Sequence, residues 1–147
     1  MMRLLLFCLA SVPFWFPPTK TIDGVKVPEE VAAVYDKLPA ELDYNQHVKP
    51  VLSDKCFACH GPDKAKQKAG LRLDVAQAAY GALPENPGKV AVKPGSLAKS
   101  ELVHRILSND PDYQMPTPQS HLTLTAEEKA VLLKWVKTGA VYKPHWA

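Results

Sequence analysis

The sequence predicts an all-α fold in which a few short helices are joined by long loops. Apolar residues recur at helical spacing in short runs, and no stretch alternates convincingly enough to argue for a sheet. In addition, 14 prolines stand against 7 glycines, a balance that breaks a chain into short pieces with extended connections. At 147 residues the chain is one domain with some residues to spare at its ends.

The opening stretch MMRLLLFCLASVPFWFPPTK carries one early charge, Arg3, then an apolar run from Leu4 to Phe16 that Pro17 and Pro18 end. Such a run suits a signal peptide and is short for a membrane span. Trp15, Phe16 and the prolines make a poor cleavage site, so residues 1–18 read as a signal peptide or as an uncleaved N-terminal anchor. Cys8 follows Leu5, Leu6 and Phe7, where a lipoprotein cysteine needs small residues. Either reading predicts an exported protein, periplasmic or tethered to the membrane by its N-terminal apolar segment and facing the periplasm.

Residues 19–41 read as a linker or N-terminal extension containing one short helix, EEVAAVYDKL, with Val31, Val34, Tyr35 and Leu38 on one face. The main domain spans residues 42–142. In DYNQHVKPVLSDKCFACH, Asp43 or Asn45 caps a helix that runs toward two cysteines. Pro50 fits its first turn, and Val48, Val51, Leu52 and Cys56 face inward. A polar loop, GPDKAKQKAGLRLD, ends in a short alternating piece, and VAQAAYG is a short helix closed by Gly81. ALPENPGKVAVKPGS is turn-rich and extended. Ser100 then caps SELVHRIL, with Leu102, Val103, Ile106 and Leu107 as its apolar stripe. After the proline-rich loop SNDPDYQMPTPQSHLTL comes the best-signalled element. There Thr125 and Glu128 form a capping box, Gly139 marks the stop, and Val131, Leu132, Trp135 and Val136 supply the inner face. Residues 143–147 are a tail. A chain of such pieces has little core of its own, and a large apolar group at its centre would explain how it folds.

Composition excludes some functions. Hydrophobic residues at 46% and charged residues at 22% are ordinary for a soluble globular protein, and a net charge of +3 without a basic, aromatic-laced stripe argues against a nucleic-acid partner. No Ser/His/Asp set, paired carboxylates or phosphate loop is visible, which favours a carrier over an enzyme.

Once the leader is set aside, the only cysteines are Cys56 and Cys59, in KCFACHGPD. The loop between them is too small to staple a fold, so their purpose is chemical. A structural zinc site needs four ligands, and His47, His104, His121 and His145 form no second close pair. A thiol–disulfide pair of the thioredoxin kind needs a βαβ pattern that is missing. In C-x-x-C-H, by contrast, each residue has a duty in holding haem. Spacing of three on a helical turn puts both sulfurs along one porphyrin edge for thioether bonds, and His60 comes beneath the iron as the proximal ligand. A single motif implies one covalent haem c.

The distal ligand expected is Met115. Beyond the two initial methionines it is the sole methionine, and it lies in DYQMPTP, where neighbouring prolines stiffen the backbone. Its 55-residue interval from His60 is long enough to wrap a porphyrin. His121, just beyond the loop, is the better rival, and His104 the weaker. Arg72, between Leu71 and Leu73, is a candidate partner for a haem propionate. Lys64, Lys66 and Lys68 form either a docking patch for an acidic redox partner or a plain solvated loop. Trp135 reads as core packing.

The ordered pieces DYNQHVKPVLSDKCFACHGPD, KAGLRLD, VKPGSLAKSELVHRI, DYQMPTP and LTAEEKAVLLKWVKTGAVYKPHWA resemble the planctomycete-type cytochrome c domain over roughly residues 42 to 147. The resemblance implies a class I cytochrome c-like fold around one haem c, bound by Cys56 and Cys59 with His60 proximal and Met115 distal. Gln114 departs from it, since the family commonly has arginine before the Met-Pro pair. It also implies that HWA leads into further domains, so this chain is either a stand-alone version or the first part of a longer protein, with 143–147 the start of a truncated region. The reading is an exported electron carrier with unidentified redox partners. Alternatives are a haem module serving a catalytic protein fused or associated at the C-terminus, and a haem sensor whose methionine is displaced by a diatomic ligand.

Overall fold

The computed structural model describes residues 17–144. The leader assigned to residues 1–18 therefore lies, apart from Pro17 and Pro18, outside the described residues. Among those described, no helix is long and apolar enough to cross a membrane.

The first described segment corrects the all-α expectation. Strands β1 (Thr19–Ile22) and β2 (Val25–Pro28) pair antiparallel, Thr19 opposite Pro28 and Ile22 opposite Val25. The turn between them is Asp23–Gly24, with φ of 50° and 78°. Both values are positive, as the tightest two-residue hairpin turn demands, and Asp-Gly adopts it at little cost. A second hairpin joins β3 (Ala82–Leu83) to β4 (Asn86–Val90) across Pro84 and Glu85. Among the described residues the architecture is thus mixed: six α-helices with two small two-stranded sheets.

The helices fall where the apolar spacing places them. Helix α1 (Glu29–Lys37) has acids in its first turn and Lys37 in its last, favourable for the helix dipole. A π-helical turn, Tyr44–Val48, is capped by Asp43, whose carboxylate accepts from Gln46 N at 3.0 Å. It runs into α2 (Lys49–Lys55), with Pro50 in the first turn, and then α3 (Phe57–His60). Helix α4 (Ala76–Tyr80) ends at Gly81. Helix α5 (Glu101–Leu107) starts after Ser100, although the Ser100 hydroxyl caps nothing. It is buried instead, accepting from Lys93 N at 2.9 Å and donating to Ser96 O at 2.7 Å. Helix α6 (Ala126–Lys137) carries the full capping box of Thr125 and Glu128, and Gly139 follows it at φ 113°.

One core joins these elements. Val131, Leu132, Leu133, Trp135 and Val136 of α6 meet Val31 and Ala32 of α1, Val48 and Leu52 beside the π-turn, and Val103 and Ile106 of α5. The extension contributes as fully as the rest, since Val27 is 0% exposed. Asp23 pins the hairpin in place, accepting from Leu97 N at 2.7 Å and pairing with Lys137 at 2.9 Å. The scant core expected from the sequence is therefore corrected: residues 19–41 supply the missing apolar surface. Trp135 packs at 3% exposure, as the sequence reading has it.

Truncating Val27 to alanine removes two methyl groups from a sealed position and should cost about 1–2.5 kcal/mol. Denaturant unfolding of the full-length protein measures this; an extension merely draped over the domain would give no change.

Candidate haem-attachment site

The cysteine motif is a single helical turn stacked on the end of α2. Cys56 N donates to Leu52 O at 2.9 Å, and His60 N donates to Cys56 O at 2.8 Å. With three residues from Cys56 to Cys59, both thiols lie on neighbouring positions of one turn. Both are free and half-buried. The loop that follows is laced back onto the motif, with Lys68 N donating to Cys59 O at 2.8 Å and Leu73 N to His60 O at 2.7 Å.

Gly61 explains how the chain leaves this turn. A Cβ at Gly61 would stand 2.3 Å from the Phe57 carbonyl oxygen and 2.9 Å from its Cβ. Only glycine lets the backbone pass so close to the motif.

The electrostatics suit a neutral, ligating imidazole. His60 is buried at 9% exposure, and its Nδ1 has no hydrogen-bond partner among the described residues. Burial lowers its basicity, and the charge of Arg105 acts in the same sense against the backbone of Lys68 and Leu71. Burial, with the neighbouring Cys59 and Glu128, pushes the Cys56 thiol up to about 12. A thiol so held stays protonated, unlike the low-pKa thiolates of redox pairs. Among the described residues no three His, Cys, Asp or Glu side chains gather as a metal site.

Met115 sits half-buried in the loop after α5, its N–H donating to Arg105 O at 3.1 Å. Helix α5 is thus common to both sides, through the charge of Arg105 felt at His60 and through its carbonyl at Met115. The rival histidines are placed differently. His104 Nε2 lies 2.8 Å from Ala98 O, and His121 is exposed on a left-handed turn at φ 57°. Arg72 forks onto Asp74, Nε to Oδ1 at 3.0 Å and Nη2 to Oδ2 at 2.5 Å. That fork engages the guanidinium edge assigned to a propionate. Lys64, Lys66 and Lys68 are exposed, and Lys66 reaches Asp63 at 3.8 Å.

Sequence reasoning missed Arg105 and Glu101. Glu101 is 6% exposed and takes Lys89 at 2.9 Å, Arg105 at 3.3 Å and the Tyr113 hydroxyl at 2.7 Å. The i, i+4 spacing of Glu101 and Arg105 on one helix was the available signal. Burial alone would raise this carboxyl, but its hydrogen bonds and the cations beside it hold it below its ordinary value of 4.5. Its stabilising contribution is therefore present above that value and lost as pH falls through the lower, folded-state value.

Two outcomes follow. Gly61→Ala should destabilise the protein by about 1–3 kcal/mol, because the clash is with backbone; thermal unfolding reads it. Glu101→Gln should flatten the acid limb of the stability curve below its ordinary value of 4.5, measured by urea unfolding across pH.

No curated protein and no solved structure matches the chain. A family model does, that described as planctomycete cytochrome C, over residues 56–119. That interval begins at the first motif cysteine and extends past Met115, so residues 56–119 match a planctomycete-type cytochrome c domain.

Proposed function

We propose that this protein is an exported, single-haem c-type cytochrome that transfers electrons, with His60 and Met115 as axial ligands. A cytochrome c domain implies covalent haem c. The observation that carries the reading is the motif turn itself, with two free thiols on one helical turn beside a buried imidazole whose Nδ1 is unpartnered. These residues fit the group. Cys56 and Cys59 would hold it by thioether bonds, and His60 presents a neutral nitrogen because burial disfavours its charged form. The bound haem supplies reversible one-electron chemistry at its iron.

The chain's own part is to hold two ligands and keep water away. His60 is fixed by the bonds its turn makes to α2 and to Leu73. Met115 is supported as the distal ligand by its placement, half-buried where His121 is exposed and His104 faces a carbonyl. A thioether ligand and a dry site both favour the reduced iron. One motif in the chain supports one haem, and the apolar leader supports export. The exposed lysines after the motif would face an acidic redox partner.

The test is the visible spectrum of the purified protein, oxidised and reduced, with a pyridine haemochrome assay. We expect a c-type reduced spectrum and, when oxidised, the weak long-wavelength band of methionine-ligated ferric haem. Met115→Ala should keep the covalent haem and lose that band, and the double change Cys56→Ser, Cys59→Ser should abolish covalent attachment. Covalent haem without the band, together with rapid carbon monoxide binding, would point to a sensor instead. No covalent haem in cells able to mature c-type cytochromes would overturn the reading.

A further inference from the structure

Prolines around Met115 stiffen its loop, but they do not say where the loop is held. The structure supplies that through one residue, by its backbone carbonyl and its side chain together. Arg105, in the last turn of α5, meets the loop at three points. Its carbonyl accepts the Met115 N–H at 3.1 Å. Its Nη1 donates to the Tyr113 carbonyl at 3.2 Å. Its guanidinium lies over the Tyr113 ring, Cζ 4.4 Å from the centroid. The guanidinium is itself held, since Nε stands 3.3 Å from Glu101 Oε1 one turn earlier. Glu101 also accepts the Tyr113 hydroxyl at 2.7 Å and pairs with Lys89 at 2.9 Å. Tyr113 is thus gripped at its carbonyl, its ring and its hydroxyl. Beneath it, Tyr113 N and Gln114 N both donate to Asp110 O, at 3.0 and 2.7 Å, closing the turn that leads into Met115.

We propose that Arg105 is the positioning residue for Met115: acting through Tyr113 and Glu101, it fixes residues 113–115 against α5 so that the thioether is presented at a set place. The inference deepens the proposed function and rests on Met115 being the distal ligand. Its physical basis is preorganisation. A ligand already held in its bonding geometry loses little freedom on binding and is harder to displace by a competitor. An exposed arginine–glutamate pair contributes little. This one has a buried carboxylate, charge-assisted bonds at each end and an aromatic ring stacked on the cation, which together restrain the loop. The plain alternative is a pair that only strengthens α5. Its loss would lower stability without loosening Met115.

The test uses the haem-loaded protein and two readouts that a merely structural pair would leave unmoved. Imidazole titration of the oxidised form measures how readily Met115 is displaced. Amide hydrogen exchange at Met115, against amides of α6, measures the clamp directly. Arg105→Leu should tighten apparent imidazole binding about tenfold and speed Met115 exchange about tenfold with α6 unchanged. Tyr113→Phe, which keeps the ring but frees Glu101, should shift both in the same direction by less. Arg105→Lys should restore only part, since it keeps the charge and loses the fork. Should Arg105→Leu fail to fold, Tyr113→Phe decides. Unchanged imidazole affinity and unchanged Met115 exchange in the folded variants would overturn the proposal. A wild-type oxidised spectrum without the methionine–ferric haem band, or a band that survives Met115→Ala, would instead overturn the ligand assignment, and the proposal with it.

Discussion

Burial of the inner face of α6 is the constraint on which the rest of this structure depends. Ala130, Leu132, Leu133 and Val136 are fully buried there, and no single neighbour covers them all. The π-turn, α1 and α5 each take a share, and Trp135 extends the surface into an aromatic cluster. Tyr142 stands 5.2 Å from Trp135 and 5.0 Å from Tyr44, ring centre to ring centre. Three polar groups of that cluster bond to backbone. Trp135 Nε1 donates to Val141 O at 3.1 Å, Tyr142 donates to Leu73 O at 2.8 Å, and Tyr80 donates to Ala140 O. Aromatic rings can be buried this deeply only when such handles find partners.

The cysteine turn is carried on this arrangement. Helix α2 is anchored by Val51 and Leu52, and the motif turn α3 follows it directly after Cys56. The same core thus fixes where His60 stands, while Leu73 links the far side of the motif to Tyr142. On the other side, α5 packs through Leu102, Val103 and Ile106 and leaves Glu101 and Arg105 to organise the loop before Met115. Apolar packing sets the helices, and charged groups at their ends set the loops.

Helix positions were legible in the sequence because apolar period and capping residues are local signals. Thr125 with Glu128, Pro50 and Gly81 each mark an end by chemistry confined to a few residues. The hairpins were not read, although TKTIDGVKV holds an Asp-Gly pair between alternating residues, a strong hairpin signal. Its four-residue strands are short beside the abundant prolines and helical runs that dominate the composition. The second hairpin was harder to see. It has no such turn pair, and Asn86, Pro87, Gly88 and Lys89 remain exposed. The single turn that gathers Cys56, Cys59 and His60 was legible because three-residue spacing is a local helical signal. The clamp at Arg105 was not, because Tyr113 meets it only after the chain turns back on itself. Arg72 shows the converse: its place between leucines is legible, whereas its fork onto Asp74 emerges only in the folded chain.

Latching by Tyr142 has a bearing on the order in which this domain is made. Synthesis delivers the cysteine turn early, and Leu73 stands 69 residues ahead of the tyrosine that bonds to it. Helix α6 and Tyr142 come at the far end of the domain, yet they form the surface against which the earlier elements pack. The β1–β2 hairpin and α1, made well before α6, gain their full apolar cover only with that last helix. Through that interval Cys56 and Cys59 lie on an unsealed chain, and the thiol that burial later holds protonated is still open to solvent. Packing of α6 thus closes the interval in which these sulfurs lie open.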